Sequence, residues 1–97
     1  MAILAEVYRM RAYVGGALES IIGASAGLHL AASSSAIDLG CEMYGQYMLK
    51  DDFGLQQLVM EEGALIVPTA PGLGFELDES KLEKYRQDSM ERFTWEQ

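Results

Sequence analysis

The sequence predicts an α/β fold in which parallel strands alternate with helices. Residues 2–11 have the apolar spacing of a helix, and residues 12–18 form an apolar run without alternation. The same order then repeats, with a helix at about 20–33, a short strand at 36–40 and a short helix at 42–49. Strands that are apolar at nearly every position are covered on both faces, as in parallel sheets, and the alternation is typical of helical crossovers.

Local signals support the first two helices. The first helix has an apolar side and a charged side: Ile3, Leu4, Val7, Tyr8 and Met10, opposite Glu6, Arg9 and Arg11. The second begins after Ser20, a residue type that caps helices. Its many Gly and Ala residues allow close approach to neighbouring backbone, and Ser33-Ser34-Ser35 ends it.

The character of the chain changes after Lys50. Residues 57–60 and 64–67 are short extended runs that predict a hairpin, and the prolines and glycines of residues 68–74 predict an irregular crossing. Asp78 begins a last helix in which acidic residues precede basic ones, the order that the helix dipole favours.

The length of the chain limits its organisation to one domain. It has 97 residues, and a domain of this size hides only about 60 to 65% of the surface that its unfolded chain exposes. We assign residues 1–50 to the strand and helix units, and residues 51–97 to a return segment of hairpin, crossing, final helix and a loose tail from Ser89. Two parallel strands leave unpaired edges, so we expect the chain alone to self-associate.

The charge balance argues against several classes of partner. Seven basic and 15 acidic residues give a net charge of −8, which repels nucleic acid and anionic membrane surfaces. The longest apolar run, residues 21–32, contains His29 and is shorter than the roughly 20 residues of a membrane-spanning helix. The single cysteine, Cys41, has no internal disulfide partner, and the first residues do not resemble an export signal, so we expect a reducing cytoplasm.

Glu19 is the first candidate for a catalytic side chain. It closes the apolar run of the first strand, and ligands of parallel sheets bind beyond the carboxyl ends of the strands. A carboxylate is costly inside such a strand but tolerated at its end, where the alternative role is to complement the dipole of the next helix. Glu42 follows the second strand in the same way, and we favour a structural hydrogen bond for it over catalysis.

Several other patterns have simpler interpretations. Residues 23–27 match the G-x-S-x-G of a hydrolase nucleophile elbow, but Ser25 falls inside a predicted helix and His29 lies on that same helix. We interpret the two glycines as close-packing positions and His29 as a packed or surface side chain. Asp51-Asp52 and Glu61-Glu62 lack the loop of a calcium site and are predicted to be solvated turns. The core is predicted to include Tyr44, Tyr47, Met48 and Phe53.

Four ordered segments carry a resemblance to a known family. They are Tyr13-Val14-Gly15-Gly16-Ala17-Leu18-Glu19-Ser20, Gly27-Leu28-His29-Leu30-Ala31-Ala32, Gly40-Cys41-Glu42-Met43-Tyr44-Gly45, and Pro68-Thr69-Ala70-Pro71-Gly72-Leu73-Gly74 followed by Asp78. In this order they resemble the C-terminal end of muconate cycloisomerases, which belong to the mandelate racemase and muconate lactonizing group of the enolase superfamily. The resemblance spans about residues 2–87.

This resemblance implies a fold and an activity. The chain would be the C-terminal fragment of a TIM-type barrel, with residues 12–18 and 36–40 as the seventh and eighth strands and residues from about 57 returning to a capping domain. The complete enzyme would interconvert a muconate-type diacid and its lactone through an enolate that Mg²⁺ or Mn²⁺ stabilises. Glu19 matches the family's acidic residue, which hydrogen bonds to the substrate carboxylate or enolate.

Other parts of that enzyme have no counterpart in these 97 residues. The resemblance places two lysine bases and the metal-binding acids on earlier strands, so we assign no residue of this chain to a metal or cofactor. We therefore expect a chain that is inactive alone. Its partners would be the missing N-terminal barrel and capping domain, with a small carboxylate as substrate. The other hypotheses are a non-catalytic acidic interaction module and a structural subunit of a split enzyme.

Overall fold

The computed structural model describes residues 1–86. The elements along them are α1 (Ala2–Val7), β1 (Ala12–Val14), α2 (Ile21–Ser33), β2 (Ile37–Cys41), α3 (Gly45–Met48), β3 (Met60–Glu61), β4 (Ala64–Leu65) and α4 (Glu79–Tyr85). The fold is α/β, with helices and strands in the predicted order. The tail predicted from Ser89 lies outside the described residues. None of the helices within 1–86 has the length and apolar content needed to cross a membrane.

β1 and β2 lie side by side and run parallel, as the sequence predicts. Ala12 pairs with Ile37 and Val14 with Cys41, and the register shifts between the two pairs. Gly40 lies in this irregular part of β2 with a φ of +92°, a left-handed conformation that favours glycine. Beyond it, the Glu42 amide donates to the Val14 carbonyl at 2.9 Å, so the residue after β2 is fixed to the end of β1.

Three elements, α1, β1 and α3, are shorter than predicted. β1 ends at Val14 and residues 15–20 form an irregular loop, whereas the strand was expected to reach residue 18. Small and apolar residues occur in buried strands and in tight loops alike, so hydropathy does not locate the strand end. α1 ends at Val7, and the chain turns at Arg9, which has a φ of 53°. α3 also covers less than the predicted residues 42–49.

A small apolar core lies where α2 packs against the rest of the chain. Its buried side chains are Ile21, Ala24, Leu28, Met43 and Leu58. Gly27 permits this packing, because a Cβ added there would lie 2.7 Å from Met43 Cε. The close-packing interpretation of this glycine is therefore confirmed. The predicted core membership of Tyr44, Tyr47 and Met48 is wrong, since these side chains are 43, 56 and 65% exposed.

The N-terminus of α2 is capped by a residue from a distant turn. Ser20 occupies the N-cap position, as predicted, but among the described residues its side chain makes no capping hydrogen bond. The Ile21 amide instead donates to both carboxylate oxygens of Asp52, at 3.0 and 2.8 Å. The prediction of a solvated turn at Asp51-Asp52 is therefore wrong, because Asp52 stabilises the start of α2.

The middle of α2 holds the irregular crossing of residues 68–74. Ser25 is fully buried and its Oγ donates a hydrogen bond to the Leu73 carbonyl. His29 Nε2 lies 3.2 Å from the same carbonyl oxygen. Ser25 thus lies on a helix and not at a strand end, and both polar side chains are used in packing. This geometry does not support the interpretation of residues 23–27 as a hydrolase nucleophile elbow.

β3 and β4 form the predicted hairpin. They are antiparallel, and the turn between them contains Glu62 and Gly63, both with positive φ. The segment before the hairpin is fixed to α3 by Gln46. Its side chain donates to the Leu58 carbonyl at 3.0 Å and accepts from the Leu58 amide at 2.8 Å. One buried side chain therefore satisfies both backbone groups of a buried residue.

α4 begins at Asp78 as predicted and is tied to the turn at Asp51. The Asp78 side chain accepts hydrogen bonds from the Ser80 and Lys81 amides, which caps the helix. Asp51 forms an ion pair with Lys81 Nζ at 2.7 Å and accepts a hydrogen bond from the Tyr85 hydroxyl at 2.9 Å. The return segment therefore closes back on the turn after α3.

This attachment of α4 is expected to weaken in acid. The hydrogen bond from Lys81, and next that from Tyr85, lowers the pKa of Asp51 from 3.8 to about 2. Because the pKa is lower in the folded chain, the contact stabilises the fold above about pH 4 and is lost as the pH falls through about 2. We expect the Asp51 carboxyl carbon to titrate near pH 2 by NMR, and Lys81→Ala to return it towards pH 4. Titration of Asp51 near pH 4 in the unaltered chain would contradict the contact.

Candidate active site

Glu19 and Glu42 come together at the carboxyl ends of the two parallel strands, where both side chains bind the loop formed by residues 15–20. Both oxygens of the Glu19 carboxylate accept a hydrogen bond from the Ala17 amide, at 2.9 and 2.7 Å. Glu42 Oε2 accepts from the neighbouring Gly16 amide at 3.4 Å. The structure thus places the two candidate residues on adjacent amides of one loop. We call these residues, Glu19, Glu42 and the loop 15–20, the strand-end site.

Three glycines leave room for Glu19. A Cβ added at Gly16 would lie 2.8 Å from Glu19 Oε2, and one at Gly23 would lie 2.9 Å from Glu19 Cγ. A Cβ added at Gly45 would overlap the Glu19 carbonyl oxygen and lie 2.9 Å from the carbonyl carbon. The loop, α2 and α3 therefore all approach Glu19 closely and fix its position.

Only part of this arrangement could be predicted from the sequence. The close-packing position of Gly23 was expected, but those of Gly16 and Gly45 were missed. A signal was present, because Gly-Gly occurs just before Glu19 and another glycine follows Glu42 by three residues. Asp52 was also missed as the cap of α2, since its partner Ile21 lies 31 positions away in the chain.

The exposure of the two carboxylates differs. Glu19 is half-buried, whereas Glu42 is exposed. A carboxylate offers about four lone-pair positions, so the Ala17 amide leaves Glu19 with capacity to accept further hydrogen bonds, and a protonated Glu19 can donate one. The strand-end site can therefore contact an oxygen-rich ligand through Glu19.

Glu19 is less suited to the alternative role of complementing the dipole of α2. The first amide of that helix, Ile21, is already bound by both oxygens of Asp52. The Glu19 carboxylate is directed back to Ala17 in its own loop. The carboxylate oxygens of Glu19 thus bind an amide of the loop and not an amide of the helix, although Glu19 Cγ lies close to Gly23 in the first turn of α2.

The described residues do not fit a divalent metal ion. Within residues 1–86 there is no group of three or more His, Cys, Asp or Glu side chains that could hold one. Glu19 and Glu42 supply two carboxylates, each bound to a backbone amide. Mg²⁺ is bound by about six oxygen atoms in near-octahedral geometry, which these two side chains alone do not define.

Two apolar grooves flank the parallel strands. One of about 580 Å³ lies between α1 and β1, and its lining includes Leu4, Tyr8, Met10, Tyr13 and Leu30. The other, of about 670 Å³, lies beside β2, α3 and the hairpin, and its lining includes Ile37, Met43, Tyr44, Tyr47 and Leu65. Tyr13 is 57% exposed in the middle of β1. The strands were predicted to be covered on both faces, but the described residues cover them incompletely.

The fold and the site define a strand and helix segment of an α/β protein with carboxylates at its strand ends. Residues 1–81 match the family model described as "Enolase C-terminal domain-like". The chain therefore belongs to the enolase C-terminal domain-like family, and the resemblance found in the sequence is confirmed.

Individual relatives are muconate and chloromuconate cycloisomerases. The chloromuconate cycloisomerase of Cupriavidus pinatubonensis (strain JMP 134 / LMG 1197) is 36% identical over 92 residues, which are 95% of this chain and 25% of the relative. Muconate cycloisomerase 1 of Acinetobacter baylyi is 34% identical over 86 residues, or 89% of this chain and 23% of the relative. This chain thus spans about a quarter of the length of these relatives.

A solved structure shows the same fold. The muconate lactonizing enzyme from Klebsiella pneumoniae superposes with a TM-score of 0.79 at 40% identity. The superposition covers 89% of this chain and 24% of that enzyme. The described α/β segment therefore corresponds to one quarter of a larger chain.

Proposed function

We propose that this chain is the C-terminal section of a muconate-type cycloisomerase, and that the complete protein interconverts a muconate-type diacid and its lactone. The observation that carries the proposal is the half-buried Glu19 at the end of β1, enclosed by three glycines. The relatives, which are muconate and chloromuconate cycloisomerases, support it. In this proposal β1 and β2 are the last strands of a TIM-type barrel, and the chain from about residue 57 returns to a capping domain.

Glu19 is the residue that we assign to the substrate. Its carboxyl group would hydrogen bond to a substrate carboxylate or to the enolate oxygen. A donor that faces an enolate strengthens its interaction as negative charge develops, so it lowers the barrier of the reaction. The bases and the ligands of a Mg²⁺ or Mn²⁺ ion would come from the rest of the protein, because the described residues do not fit a metal.

The partner that we propose for the two apolar grooves is the N-terminal part of the barrel. Strand edges in a two-stranded sheet present unpaired backbone groups, and the grooves add apolar surface beside both strands. Neighbouring parallel strands would pair with the free strand edges, and their helices would cover the apolar grooves. We propose the reducing cytoplasm as the compartment, since Cys41 is an exposed free thiol.

Without that partner the chain is expected to self-associate. Light scattering after size-exclusion chromatography should show species larger than 10.7 kDa, because exposed apolar grooves and strand edges associate with one another. Tyr13→Lys should reduce this association, since a lysine on a strand edge opposes pairing, while Thr69→Lys on an exposed loop should not. A monomer with a cooperative unfolding transition would contradict the proposed partner.

The function is tested by complementation. Residues 1–97 are co-expressed with the N-terminal three quarters of the Klebsiella pneumoniae enzyme, and lactone formation from the diacid is assayed with Mn²⁺ or Mg²⁺. We expect a stable complex with activity, and neither piece should be active alone. A complex without activity would contradict the catalytic proposal. Failure of the two pieces to associate would instead favour the acidic interaction module.

A further inference from the structure

We propose that Glu42 is a positioning residue that holds the loop 15–20 in the conformation in which Glu19 meets the substrate. This inference rests on the proposed function of Glu19 as the group that contacts the substrate. Glu42 itself would contact only the backbone of the loop.

The hydrogen bonds of the loop form a continuous path between the two carboxylates. Glu42 Oε2 accepts from the Gly16 amide at 3.4 Å, and the next amide, that of Ala17, donates to both oxygens of Glu19. The two amides belong to successive peptide planes that are joined at Gly16 Cα, so the direction of the Ala17 amide is set by the φ and ψ of Gly16, a residue that its contact with Glu42 restrains. The orientation of Glu19 therefore depends on whether Gly16 is held.

Glu42 is itself held at a defined place. Its amide donates to the Val14 carbonyl at 2.9 Å, which fixes its backbone to the last residue of β1. Its carbonyl oxygen lies 2.5 Å from the position that a Cβ on Gly16 would take. Backbone and side chain of Glu42 thus both lie against the loop, and Gly16 is the residue that permits this approach.

The contact needs an acceptor atom at position 42, not a negative charge. Glutamine keeps the length of the side chain and one acceptor oxygen, whereas alanine removes the acceptor. Glu42→Gln and Glu42→Ala therefore separate a positioning role from a role in proton transfer. Glu61, an exposed carboxylate on the hairpin, offers a matched control.

The first test measures kinetics in the complex with the N-terminal part of the Klebsiella pneumoniae enzyme. We expect Glu42→Ala to lower kcat by about ten- to a hundredfold, since small displacements of a reacting group cost about this much. Glu42→Gln should stay close to the unaltered complex in kcat and in its pH profile, and Glu61→Ala should match it. Equal losses in the Gln and Ala variants, or no loss in either, would overturn the inference.

The second test needs no activity and therefore separates failure of this inference from failure of the proposed function. The full chain is labelled with ¹⁵N and its amide spectrum is recorded, alone and with the unlabelled N-terminal part. We expect Glu42→Ala to shift the amide signals of both Gly16 and Ala17, and Glu42→Gln to leave the Ala17 signal near its original position. An Ala17 signal that does not move in Glu42→Ala would show that Glu42 does not position Glu19.

Discussion

Gly45→Ala is expected to destabilise the complemented protein by about 3 kcal/mol and to remove most of its activity. The added Cβ would overlap the Glu19 carbonyl oxygen and lie 2.9 Å from the carbonyl carbon and 3.2 Å from the amide nitrogen. These are backbone atoms, so no rotation of a side chain relieves the overlap. α3 or the end of the loop 15–20 must move, and either movement displaces Glu19.

The measurement is urea unfolding of the complex, together with the lactone assay. Gly15→Ala is the matched control, because its Cβ would lie 3.7 Å from Tyr13 Cε2 and 3.8 Å from Glu42 Oε2, which are ordinary contact distances. We expect this control to leave the unfolding midpoint close to that of the unaltered protein. If Gly45→Ala shared that midpoint, the close approach of α3 to Glu19 would be wrong.

The order of elements could be predicted because it depends on local patterns. Helical spacing, apolar strands, the Glu62-Gly63 turn and the cap at Asp78 are each signalled within a few residues, and all are present in the structure. The parallel pairing of β1 and β2 follows from the helix between them. Glu19 could be singled out in the same way, because it is the carboxylate that closes the first apolar run.

The predictions that failed depend on contacts between distant parts of the chain. Asp52 binds an amide 31 positions away, and Asp51 binds side chains of α4, so the turn looked solvated when considered alone. The loop that follows β1 is bound by Glu42, which lies 26 positions from Gly16. Hydropathy describes a segment without such partners, so it does not show which part of the apolar run is a loop.

The exposed aromatic side chains have a different explanation. Tyr44 and Tyr47 were predicted to be core because of their apolar character, yet they line the groove beside β2. Under the proposed function, this surface would be covered by the N-terminal part of the barrel. The apolar character of Tyr44 and Tyr47 would then suit the complete protein, in which they are covered. Their exposure is that of the described segment taken alone.

Glu19→Gln is expected to lower the activity of the complemented protein by about 10² to 10⁴-fold while leaving assembly intact. Glutamine has nearly the same shape, and its Oε1 can still accept a hydrogen bond from the Ala17 amide. Its amide N–H can still donate a hydrogen bond, but it is a far weaker acid than a carboxyl group and shares its proton much less with an enolate oxygen, so the loss would fall on the chemical step. The lactone assay gives kcat, and size-exclusion chromatography gives the fraction of complex.

The control and the competing role of Glu19 make this test decisive. Glu62→Gln removes one exposed carboxylate from the hairpin turn and should leave kcat unchanged. If Glu19 served only the dipole of α2, Glu19→Gln would cost about 0.3 to 1 kcal/mol of stability and leave kcat intact. Because Asp52 already binds the first amide of that helix, we expect the loss in kcat and little change in unfolding, and the reverse outcome would remove Glu19 from the catalytic site.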